Sequence, residues 1–204
     1  AGLSCICPEL PFEVKLIELE PQDTIDIGVF HINCLKVNHK ITCYAYNVQV
    51  KRVGRFDVQK ANALNIPKKL WSILQKQQSV EFEGKTYTSD MVLGSPRKGI
   101  KVSYCTDTRP TKELPAFVEN SDLLICEGMY GEKDKIQKAK EYKHMMFTEA
   151  AEIAKKANVN EMWLTHFSPA MPFPEEFLPS AKEIFENTHI GKDRKNVTLL
   201  FEED

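Results

Sequence analysis

Three apolar, strand-like runs of this 204-residue sequence each end in a residue able to bind a metal or move a proton. Residues 100–105 run into Thr106-Asp107-Thr108-Arg109, residues 122–126 into Glu127-Gly128, and residues 161–165 into His166-Phe167-Ser168. In α/β sheets, ligands and metals gather at the carboxyl ends of strands, where the chain leaves the sheet and can aim side chains into a crevice. The three ends are therefore expected to converge on one site. Asp and His are ligand types that zinc accepts, and a carboxylate can bridge two ions. His39, in Val37-Asn38-His39-Lys40, is a further ligand candidate, and His144, in Tyr142-Lys143-His144-Met145-Met146, is placed for acid or base work. Taken singly, such histidines are more often hydrogen-bonded structural residues than ligands, so only their convergence would carry a site. His31 and His189 have no ligand pattern around them.

The elements that must position these residues can be read from periodicity. Residues 29–37 and 41–50 read as two strands, the second with Tyr44, Tyr46 and Val48 alternating, and Asn38-His39-Lys40 lies between them. A helix follows the second strand end, with Thr148 as N-cap, Glu149 in the first turn and Ala150, Ala151, Ile153, Ala154 and Ala157 as its apolar stripe. Strand, helix, strand makes a βαβ unit. Residues 172–204 read as a capping helix and a last strand without chemistry.

Charge is unevenly spread. Residues 51–101 hold eleven Lys or Arg against four Asp or Glu, a balance of +7, whereas the rest of the chain holds 16 against 25, a balance of −9. An acidic body carrying a basic element is suited to phosphate backbones, and a solvated lysine-rich surface gives the same count. The stretch 51–98 is polar, broken by Pro and Gly, and poor in core candidates, so it reads as a protruding insertion. Cys34, Cys43, Cys105 and Cys126 sit in apolar runs as small buried hydrophobes, and Cys5-Ile6-Cys7 has neither zinc-knuckle nor redox spacing. No apolar run approaches the roughly 18 to 20 residues of a spanning helix, and no signal-peptide layout opens the sequence. A cytoplasmic protein with no membrane partner is expected.

Taken together, Val37-Asn38-His39, Tyr44-Ala45-Tyr46-Asn47-Val48, Thr106-Asp107-Thr108-Arg109, Asp122-Leu123-Leu124-Ile125-Cys126-Glu127, Lys143-His144 and Leu164-Thr165-His166-Phe167-Ser168 occur in a recognisable order. The chain resembles the ribonuclease Z family of the metallo-β-lactamase superfamily, over most of the region from about Leu10 to about Ser168. The resemblance implies an α/β fold of the metallo-β-lactamase αββα sandwich type, here its later half, as a single partial domain over 1–204 with an inserted basic arm at 52–98. It implies a zinc phosphodiesterase with two ions per complete site, which removes the 3′ trailer from precursor tRNA and works as a homodimer. His39 and His166 would each hold one zinc, Asp107 would bridge the pair, His144 would serve the leaving oxygen, and Glu127 would act from behind the ligands. Thr165 and Ser168 would flank and orient His166. Arg52, Arg55, Lys68, Lys69, Arg97 and Lys98 become candidates for RNA phosphates, while Trp71 would pack the arm's own core.

The sequence also departs from the family pattern. The H-x-H-x-D-H motif that supplies most zinc ligands is not among the 204 residues, so by itself the chain is expected to be inactive. Ala45, Thr106, Cys126 and Met145-Met146 replace residues usual in the family, and Pro67-Lys68-Lys69-Leu70 stands in place of a Gly-Pro arm tip. Two other readings stay open: a hydrolase of a small phosphodiester or ester, and a non-catalytic RNA-binding fragment.

Overall fold

Alternating β-branched and polar residues build the first strands, β1 (Thr24–Ile27), β2 (Phe30–Lys36) and β3 (Tyr44–Arg52), which pair antiparallel in sequence order. These come from a computed structural model that describes residues 11–20 and 23–203, so Cys5 and Cys7 lie outside the described residues. The β1–β2 hairpin turns at Gly28, whose φ of +60° is the left-handed geometry that tight hairpins require. β6 (Arg97–Cys105) joins β3 antiparallel, and from there the sheet turns parallel through β7 (Leu123–Glu127), β8 (Met162–Thr165) and β9 (Thr188–Ile190). The result is one seven-stranded sheet in the order β1-β2-β3-β6-β7-β8-β9.

The near-continuous apolar runs of β7 and β8 follow from burial, since crossover helices cover them. The short helix α3 (Leu114–Phe117) connects β6 to β7. Helices α4 (Ile136–Tyr142) and α5 (Phe147–Lys156) connect β7 to β8, which is the expected βαβ unit. Ala150, Ala151 and Ala154 of α5 are fully buried beside Leu124, Cys126, Met162 and Leu164, so small side chains bring the helix close to the sheet. The N-cap of α5 is Met146, and Thr148 lies inside the first turn. The Glu149 carboxylate explains that shift, because it accepts from the Met146 N–H at 2.9 Å and does the work expected of a capping hydroxyl.

Between β3 and β6 the chain forms α1 (Val58–Ala63), α2 (Lys68–Leu74) and the hairpin of β4 (Ser79–Phe82) with β5 (Lys85–Thr88). Contrary to the reading of this stretch as poor in core residues, Ala61, Ile66, Leu70, Leu74, Val92 and Leu93 make a buried cluster of their own. The i, i+4 spacing of Ile66, Leu70 and Leu74 carries that cluster and is masked in the sequence by the lysines around it. At the root of this segment a Cβ on Gly54 would sit 2.1 Å from the Gly94 carbonyl oxygen, so two glycines let the outgoing and returning chains touch. After β8, α6 (Leu178–Lys182) precedes β9; the residues past β9 add no further described strand. Among the described residues no helix is long and apolar enough to cross a membrane.

Candidate metal centre

Because β6, β7 and β8 are parallel neighbours, with Cys105 opposite Cys126 and Glu127 opposite Thr165, their carboxyl ends form one edge. Asp107, Glu127 and His166 stand along that edge, as expected of the three strand endings. Asp107 and His166 have φ of 50° and 56°, left-handed backbone that costs a non-glycine residue roughly 1 kcal/mol or more. The bend turns each side chain out of its strand, and the Thr106 hydroxyl steadies Asp107 by donating to Oδ1 at 2.5 Å. His166 Nδ1 then lies 3.2 Å from Asp107 Oδ1.

His39 arrives from the β2–β3 connection. The Asn38 N–H donates to Thr108 Oγ1 at 3.0 Å and the Arg109 N–H to the Asn38 carbonyl at 3.0 Å, which stitches that connection to the end of β6. The His39 ring is 4.9 Å from that of His144, which in turn is 5.3 Å from that of His166. Nδ1 of His39 is 3.1 Å from the carbonyl oxygen of Lys143, itself left-handed at φ 61°, which leaves Nε2 for a ligand. One donor atom each from Asp107, His144 and His166 lies within 4.8 Å of the others. A carboxylate and imidazoles at that separation fit a divalent ion of the first transition row, with His39 and His166 on either side of His144. The sequence reading keeps His144 outside the ligand set, whereas in the fold its ring stands in the middle of the histidines.

Glu127 sits behind them, with no exposed surface. One carboxylate oxygen accepts from the Thr108 N–H at 2.5 Å, the other from the Met145 N–H at 3.1 Å, and His144 Nδ1 is 3.1 Å from the second. Burial pushes the Glu127 carboxyl up to about 8, against the pull of those two backbone donors. Burial also lowers His144, helped by the neighbouring His166 and His39. Burial thus works against charge on both members of the Glu127–His144 pair.

Sequence reasoning assigns no role to Arg109, yet it ties the site together. Its guanidinium donates to the His144 carbonyl at 2.6 Å and makes a two-pronged pair with Glu149, one contact at 2.7 Å. The signal for it lies in the Thr106-Asp107-Thr108-Arg109 run, because an Arg two residues after a strand-end Asp can reach the same edge. Thr165 and Ser168 do not orient His166: the Thr165 hydroxyl donates to the Cys126 carbonyl, and Ser168 Oγ accepts from the Ala170 N–H. Trp71 packs as expected, its Nε1 donating to the Ile66 carbonyl and its ring 5.1 Å from that of Phe56.

The six basic candidates divide into two groups. Lys68 and Lys69 open α2, and Lys69 Nζ lies 3.7 Å from the Phe82 ring centroid. Arg55 stands between β3 and α1. Arg52, Arg97 and Lys98 instead belong to the sheet, where Arg52 is paired in register with Arg97 at the opposite end from the histidines.

Residues 75–167 match the Beta-lactamase superfamily domain. The whole chain is 55% identical over 204 residues to a ribonuclease Z of Agathobacter rectalis and covers 67% of that protein. It is 51% identical over 205 residues to one of Lachnoclostridium phytofermentans, again spanning 67% of its length. Among solved structures, a metallo-β-lactamase fold protein of Bacillus subtilis, YhfI, superposes with a TM-score of 0.57 at 24% identity, over 87% of this chain and 53% of that one.

Proposed function

The chain belongs to the ribonuclease Z family, and on that premise we propose that it serves a zinc-dependent endoribonuclease that removes the 3′ trailer from precursor tRNA. The observation that carries this reading is the meeting of His39, Asp107, His144 and His166 at one sheet edge with Glu127 behind them. His39 and His166 would each hold one of two zinc ions and Asp107 would lie between them, in company with ligands from outside these 204 residues. The chemistry zinc supplies in such a site is an acidified water and neutralisation of phosphoryl charge.

The remaining steps fall to this chain's own side chains. Glu127 engages His144 at Nδ1, so Nε2 is the atom left to deliver a proton to the leaving 3′-oxygen of the tRNA. Arg109 fixes the backbone of His144 while Glu127 fixes its ring, which keeps that nitrogen aimed as the substrate changes charge. The segment between β3 and β6, with its own core and basic surface, would act as the arm that grips RNA away from the chemistry. The family reading adds a homodimer in the cytoplasm, which sedimentation and fractionation test directly.

The reading is tested with Asp107→Ala in a version of the protein of its relatives' full length. Cleavage of a 3′-extended tRNA should disappear while tRNA affinity stays within about threefold, because phosphate contacts elsewhere carry binding. Retained turnover in the presence of zinc would remove Asp107 from the site.

A further inference from the structure

The row of rings at the histidine edge does not end at His39. The β2–β3 connection and the chain leaving α4 close on each other there: His39 Nδ1 is 3.1 Å from the Lys143 carbonyl oxygen, and Lys143 Nζ donates to the His39 carbonyl at 3.3 Å. One residue further out, Lys40 Nζ stands 4.5 Å from the centroid of the Tyr142 ring. Lys40 and Tyr142 therefore close the outer end of the row that runs from His166 through His144 to His39. Lys40 is exposed, and 42% of Tyr142 is open to solvent.

A cation in that place works against a metal site, because like charges repel and a neighbouring ammonium weakens the hold on a divalent ion. Its charge reaches the histidines: burial, His166 and His39 lower His144 first, and the Lys40 ammonium adds to them. Among the described residues no carboxylate oxygen lies within 4.0 Å of Lys40 Nζ to offset that charge. The Tyr142 ring holds the ammonium in position, yet an exposed contact of this kind contributes only about 0.5–1 kcal/mol. Lys143 differs, since its ammonium is turned back onto the His39 carbonyl. At this rim the charge open to an incoming anion is that of Lys40.

We propose that Lys40, held on the Tyr142 ring, binds a substrate phosphate next to the scissile linkage and so aligns the RNA strand across the histidine edge. The proposal rests on the reading of the chain as an RNA-processing protein. A phosphate at Lys40 gains a charge-assisted contact, and its own charge cancels the repulsion that the ammonium otherwise exerts on the site. Lys40 thus serves the reacting end of the RNA and not its folded body.

The test is steady-state cleavage of a 3′-extended precursor tRNA by the protein at its relatives' full length, together with its zinc affinity, for Lys40→Met, Lys40→Arg and Lys155→Met. Lys40→Met should raise KM about three- to tenfold with kcat within about twofold, and Lys40→Arg should restore most of the loss. Lys155→Met, an equal change of charge at the exposed far end of α5, should change neither. Zinc affinity should hold or rise in Lys40→Met, because a like charge is gone, whereas a residue that only supports the fold would lose zinc as well. The phosphate is located by making the linkage on the 5′ or the 3′ side of the scissile one a neutral methylphosphonate. At the linkage Lys40 touches, the protein and its Lys40→Met variant should then share one KM. A difference that survives both neutral linkages, or a loss of zinc affinity that matches the loss of cleavage, would overturn the proposal. If Lys40→Met leaves KM unchanged while the protein cuts after the discriminator nucleotide, the role of Lys40 alone falls. If the protein cuts no precursor tRNA, the RNA-processing reading falls with it.

Discussion

Glu127 shows how one buried side chain can set the chemistry of a whole edge. Its two oxygens reach the backbone after Asp107 and the backbone after His144, so it fixes the spacing of two site segments and the orientation of one imidazole. Glu127→Gln would turn an amide N–H toward one of those two donors and leave it unsatisfied. We expect cleavage by the full-length protein to fall about 10- to 100-fold with tRNA affinity little changed, as kinetics and equilibrium binding on one preparation would show. The carboxyl also gives stability a pH dependence. In the unfolded chain it loses its proton near its ordinary 4.5 and in the folded chain near 8, so over that window the folded form binds more protons and stability declines as pH rises. Thermal melts of the metal-free chain should show this decline, and Glu127→Gln should flatten it. The strand-end residues of this site are legible in the sequence because a lone Asp, Glu or His after an apolar run is a visible break in pattern. For Arg109 the spacing after Asp107 points only to the edge; its two partners, His144 and Glu149, are set by how the later loop and helix fold back.

Among the elements, the segment between β3 and β6 is the one whose sequence misleads. Its lysines and prolines make it look coreless, yet Leu74 and Val92 are fully buried within it. Leu74→Ala should cost about 2–5 kcal/mol of the stability of that segment and weaken tRNA binding, with zinc uptake at the distant edge unchanged. Protease accessibility of residues 53–96 and zinc titration would read the two effects separately. Neutralising Lys68 and Lys69 at the start of α2 should lower tRNA affinity and reduce the salt slope by about two, one for each phosphate no longer neutralised. An unchanged slope would place the grip elsewhere. In the body of the sheet the pattern is informative: the parallel β6, β7 and β8 are visible as apolar runs, and the alanine stripe of α5 announces close packing on them. The start of α5 differs from the expected Thr148 because its cap comes from Glu149, a side chain inside the helix, whereas propensity favours hydroxyls. β1 escapes sequence reasoning because it is only four residues long and mostly exposed.

At the scale of the molecule, one strand joins the root of the β3–β6 segment to the histidine edge. β6 carries Arg97 and Lys98 at its start and delivers Asp107 just past its end, so the basic root and the histidine edge stand roughly 25 Å apart on a rigid element. A substrate that reached both ends would have to be long, as a tRNA is and a small diester is not. The decisive measurement is cleavage of a 3′-extended precursor tRNA by the protein at its relatives' full length, with zinc supplied and both product ends mapped. One cut is expected just after the discriminator nucleotide, leaving a 3′-hydroxyl on the tRNA and a 5′-phosphate on the trailer, and that cut should be lost in Asp107→Ala. Turnover of a generic phosphodiester with no preference for tRNA, or no cut at that position, would overturn the assignment of this edge to tRNA 3′ processing.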